Sequence, residues 1–113
     1  MQDPRRVTVP FVLFAAALVA SCGGPGRAAY LEAGCAECHG ENLRGTQTAG
    51  PSLKGVGDRW EVESLLAYFR NPDSVAALDP RLREIRERYG EGMPPLKLAD
   101  PIAREALAEY VLR

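Results

Sequence analysis

Only one histidine, His39, occurs in the 113 residues, with three cysteines, one tryptophan and two methionines, one of them Met1. A structural zinc site usually needs two Cys/His pairs, and no second pair exists. No alternating apolar–polar run reads as a strand, so the βαβ setting of a thioredoxin-like redox pair is missing. The formal net charge of −1 leaves no basic footprint for nucleic acid. No internal repeat or low-complexity tract is present. The longest apolar run, Val7 to Ala20, is short of the ~20 residues a spanning helix needs.

That run has another use. Arg5 and Arg6 precede it and Ser21, Cys22 and two glycines follow it, the layout of an export signal. The segment Leu18-Val19-Ala20-Ser21-Cys22 resembles a bacterial lipobox, which implies a diacylglycerol on the Cys22 sulfur and cleavage before it. The Arg5-Arg6 pair lacks the rest of a twin-arginine motif. The expected division is therefore a signal over 1–21, a tether over 22–27 and one domain over 28–113. A domain this small has a limited core and gains from a cofactor or crosslink.

The helical signals are spaced through the domain. Ala28 to Cys38 reads as a first helix, and Gly40 to Gly57 as a loop rich in turn residues. Asp58 and Glu61 suggest a capping box ahead of Val62, Leu65, Leu66 and Phe69, which share one helical face. Asn71-Pro72 ends that helix. Pro80 to Tyr89 reads as a charged helix supported by Arg81–Glu84 and Glu84–Arg88 pairs. Asp100-Pro101 starts a last helix with Ile102, Ala103, Ala106, Leu107, Tyr110 and Val111 inward. The fold class is all-α, with three to five short helices and long loops.

The scarce residues gather in Gly34-Cys35-Ala36-Glu37-Cys38-His39-Gly40. CxxCH is the attachment signature of c-type haem, with a thioether from each cysteine and the adjacent imidazole on iron. Zinc and disulfide exchange lack the partners noted above. A second axial ligand is then needed. Met93 is the one methionine beyond the signal, and it stands in a loop stiffened by Pro94 and Pro95. A thioether suits haem iron and raises its potential, although a lone methionine also serves as core filler.

These elements together resemble a class I c-type cytochrome over most of the domain. They are CAECH, Gly50-Pro51-Ser52-Leu53, Met93-Pro94-Pro95 and the aromatic-bearing LAEYVL. The resemblance implies a small cytochrome c fold around one covalent haem c, ligated by His39 and Met93. It implies that the Pro51 carbonyl accepts a hydrogen bond from His39, and that Arg59 lies near a propionate. It places Tyr110 where the last helix crosses the first, near Tyr30 or Leu31. Leu31 stands where the family often has an aromatic residue. Trp60 and Tyr68 are read as core packing, with a haem wall as the alternative. The charged segment from Asp73 to Gly92 is read as a solvated helix, with framing of the haem edge or partner docking as alternatives.

The function implied is single-electron transfer rather than catalysis. The alternatives are a haem-based sensor that releases Met93, and a cytochrome subunit of a respiratory or dehydrogenase complex. A tether from Gly23 to Arg27 spans at most about 17 Å. A lipid on Cys22 would thus hold the domain at the outer face of the membrane, towards the periplasm or cell exterior, beside a membrane-bound redox partner.

Overall fold

Pro25, Pro72, Pro80 and Pro101 each stand in the first turn of a helix. A missing N–H costs nothing there, and a fixed φ suits the helix. The computed structural model describes residues 23–113. The export signal, Arg5-Arg6 and the lipid site at Cys22 lie outside the described residues. In chain order the helices are α1 (Gly24–Glu32), α2 (Cys35–His39), α3 (Val62–Arg70), α4 (Pro72–Leu78), α5 (Pro80–Tyr89) and α6 (Pro101–Val111), with a 3-10 turn at Val56–Asp58. No strand occurs among the described residues.

The N-terminal part differs from expectation. Gly24 to Arg27, expected as tether, form the first turns of α1. Pro25 starts the helix, and Gly26 is buried against α6. The expected continuous helix from Ala28 to Cys38 breaks at Ala33-Gly34. The Ala33 N–H donates to Ala29 O at 2.9 Å and the Gly34 N–H to Leu31 O at 3.2 Å, closing α1. Gly34 then turns left-handed, with φ of 79°, a conformation that suits glycine. The CxxCH residues therefore occupy a helix of their own.

Further on, α3 is capped by Glu61 rather than Asp58, which belongs to the 3-10 turn. Ser64 Oγ accepts the Glu61 N–H at 3.0 Å. Asn71 ends α3 and caps α4, its Oδ1 accepting the Ser74 N–H at 3.2 Å. The short α4 between the two expected helices has no strong periodic signal. On α6, Asp100 caps as expected, accepting the Ile102 N–H at 2.9 Å. Ile102 itself is 79% exposed, and Ala108 fills the core face instead. The expected Arg81–Glu84 pair is replaced by Arg81–Asp79 at 3.5 Å, because Asp79 caps the same turn.

The core forms where α1 crosses α6, with α3 packed on the latter. Ala29, Tyr30, Leu65, Phe69, Leu98, Leu107, Ala108 and Val111 are buried together. Tyr30 meets Tyr110 edge-on, ring centroids 5.6 Å apart, the contact expected between first and last helices. Its hydroxyl donates to Gly40 O at 2.7 Å. Burial pushes the Tyr30 phenol up to about 12.

The neutral phenol is favoured by folding. Its contribution to stability is complete below the ordinary value near 10 and is lost as pH rises through about 12. An alkaline absorbance titration should therefore show one phenol fewer titrating above the ordinary range in Tyr30→Phe than in the wild type. That variant should also lose about 1 kcal/mol, having no donor for Gly40 O. Equal titration curves for the two proteins would refute this.

Candidate functional site

Cys35 and His39 are four residues apart and Cys38 is three from Cys35, so a single helical turn presents all three side chains. Cys35 is half-buried and Cys38 exposed. Burial raises the Cys35 thiol above its ordinary value. Among the described residues no three His, Cys, Asp or Glu side chains gather around a point that could hold a metal ion. The donors are laid along a turn instead, an arrangement suited to a macrocycle attached at two places.

The loop after α2 is folded back onto it. The Gly45 N–H donates to His39 O at 2.7 Å, and Leu53 N–H to Leu43 O at 2.7 Å. Thr46 is the hub of this turn. Its hydroxyl donates to Cys38 O at 3.2 Å and accepts from the Ala49 and Gly50 N–H groups at 2.9 and 3.2 Å. Gly50 packs so closely that a Cβ there would lie 2.8 Å from Cys38 O. The result brings Pro51 O to 2.8 Å from His39 Nδ1. With the proton on Nδ1, the imidazole donates to that carbonyl and Nε2 keeps its lone pair for a metal. Thr46 was not singled out in the sequence. Its only signal is a hydroxyl residue in a glycine-bearing loop, the setting where side chains bond local backbone.

Met93 stands in the loop between α5 and α6, half-buried and packed against the core. Beyond it, the Leu96 N–H donates to Phe69 O at 2.9 Å, fixing the loop to the end of α3. Trp60 and Tyr68 are half-buried with ring centroids 5.3 Å apart, and both pack against the core, as do half-buried Leu53, Val56 and Leu66. This is apolar surface that a haem can cover, favourably by the usual burial term. Arg59 is exposed, and its side chain makes no hydrogen bond or ion pair among the described residues. The donor set and the half-buried apolar side chains thus fit a covalent haem.

Comparisons with known proteins agree with this fit. The family model for cytochrome c matches residues 24–113. Cytochrome c-550 of Bacillus subtilis (strain 168) is 53% identical over 81 residues, covering 71% of this chain and 50% of that protein. The chain thus spans about half the length of this curated relative. No solved structure matches the chain.

Proposed function

The chain belongs to the cytochrome c family, as a class I c-type cytochrome with covalent haem c as its cofactor, and from that premise we propose that it carries single electrons between redox partners at the outer face of a membrane. The observation that carries this reading is His39 Nδ1 at 2.8 Å from Pro51 O within the CxxCH setting. Cys35 and Cys38 would hold the group through their sulfurs. His39 would ligate through Nε2, its tautomer set by the Pro51 carbonyl. Met93 would supply the other axial ligand, and Arg59 is free to meet a propionate. Bound haem supplies one-electron Fe(III)/Fe(II) chemistry.

The residues explain why such a site transfers electrons rather than turning over substrate. Were His39 and Met93 both to ligate a bound haem's iron, no position would be left on it for a substrate. The Met93 thioether would favour the reduced state. Cys35→Ser/Cys38→Ser is expected to abolish the haem stain that follows the polypeptide on a denaturing gel. A stain that persists in the double variant would contradict attachment at these thiols.

The membrane part of the reading rests on Cys22. Helix α1 begins at Gly24, so a lipid on Cys22 would set the folded domain directly against the bilayer. Lipobox processing gives several acyl chains, enough for stable anchoring. No helix among the described residues is long and apolar enough to cross a membrane. Cys22→Ala is expected to move the mature protein from the membrane fraction to the soluble one. Retention in the membrane fraction would refute the lipid anchor. A partner fixed in the same membrane, such as a quinol-oxidising complex, a terminal oxidase or a dehydrogenase, follows from that position.

A further inference from the structure

The loop that bears Met93 is tied after Met93 by the Leu96–Phe69 hydrogen bond and is flanked before it by the side chain of Arg86. Helix α5 ends at Gly90, whose N–H donates to Arg86 O at 3.0 Å. The chain then turns back over its own helix. A Cβ built on Gly92 would meet the Arg86 guanidinium, 2.9 Å from both Cζ and Nε and 3.1 Å from Nη2. The guanidinium therefore lies close beside the backbone immediately before Met93. A bulkier residue at 92 would displace it.

Arg86 is itself fixed from the other side. Its Nη1 is 2.9 Å from Asp73 Oδ1, in the first turn of α4. Arg83 Nη1 donates to Ala77 O at 2.6 Å, a second tie from α5 to α4. In turn, α4 is seated by buried Pro72 and Ala76 and by Asn71 at the end of α3. Tyr68 on α3 lies within the field of the pair. Burial pushes its hydroxyl up, with Arg86 lowering it and Asp73 raising it. The chain of contacts runs from α3 through Asp73 and Arg86 to Gly92.

This ion pair is a poor source of stability. Side-chain exposure is 46% for Arg86 and 71% for Asp73, and such pairs contribute little to folding. What it supplies is geometry: a flat, pre-organised guanidinium lodged between α4 and the ligand loop. Leu96 on Phe69 O fixes the loop after Met93, and the Arg86 guanidinium packs beside Gly92 before it.

We propose that Arg86, braced by Asp73, is a positioning residue that keeps the Met93 sulfur at the haem iron. The proposal rests on Met93 being the axial ligand. It predicts that Arg86→Ala binds exogenous imidazole in the oxidised holoprotein about two- to fivefold more tightly, the range an exposed pair allows. The far-red thioether–iron band should weaken in parallel, and Asp73→Asn should show a smaller change in the same direction.

Gly92→Ala provides the decisive partner variant. Its methyl would push the guanidinium aside, so it should reproduce the effect of Arg86→Ala. The double variant should bind imidazole no more tightly than Arg86→Ala alone, because no guanidinium remains to be displaced. The urea midpoint reports fold integrity separately and should hardly move. The proposal falls if both single variants keep wild-type imidazole affinity and band intensity, or if their effects add. If the wild-type protein itself lacks the far-red band, then Met93 is not the ligand and both readings fail. If it has the band and the variants do not alter it, only the role of Arg86 fails.

Discussion

Replacing Met93 with alanine is expected to lower the reduction potential of the holoprotein, on the order of 0.1–0.3 V within the span of about 0.8 V that axial ligands cover. The thioether is a soft ligand that favours Fe(II), and water or hydroxide in its place favours Fe(III). Met93 is the one methionine among residues 23–113, and His39 is the one histidine, so no second thioether or imidazole is available there. The variant should also lose the far-red charge-transfer band and bind carbon monoxide when reduced. Its fold should persist, because the Met93 side chain is only half-buried while Tyr30 and Leu107 are fully buried. A potential and spectrum equal to those of the wild type would show that another group ligates the iron.

Gly26→Val is expected to damage the fold severely, costing about 3 kcal/mol or more. Any Cβ at this position would lie 2.5 Å from Tyr110 Cβ and 2.6 Å from Ala106 O. The second of these is helix backbone and cannot swing away, so α1 and α6 must separate. That crossing buries Ala29, Tyr30, Leu107 and Val111, and small domains have only about 5–15 kcal/mol in total. Ala28→Val, at an exposed position of the same helix, controls for the helix propensity of valine and should cost well under 1 kcal/mol. Urea unfolding of the two holoproteins, followed by circular dichroism, measures both. Equal midpoints would refute the close crossing.

Which features were legible in the sequence follows from how local their causes are. CxxCH is a short-range chemical motif, and its residues lie together on α2 as the spacing requires. The bounds of α5 are those expected, because Pro80 starts it and Gly90 ends it. The last helix starts at its expected proline for the same reason. The contact between Tyr30 and Tyr110 came from the family resemblance rather than from local signals.

The misses share a different cause. Gly24 to Arg27 carry the composition of a turn, yet packing of Gly26 under Tyr110 draws them into α1. Tertiary contact outweighs propensity there. Ile102 has the right helical phase but lies in the first turn of α6, outside the reach of the core. Arg81 takes Asp79 rather than Glu84 because the capping carboxylate is already in place. Arg86 gave no sign of its contact with Gly92, since only the return of the chain after Gly90 brings them together. Thr46 and its four hydrogen bonds around Cys38 and Gly50 likewise depend on how the loop folds onto α2.

The most direct test of the proposed carrier is the absorption spectrum of the reduced holoprotein at neutral pH, recorded before and after addition of carbon monoxide. With His39 and Met93 both on the iron, the spectrum is predicted to stay unchanged. Ready conversion to a carbon monoxide complex would contradict a closed electron-transfer site and would favour a haem that exchanges Met93 for small ligands.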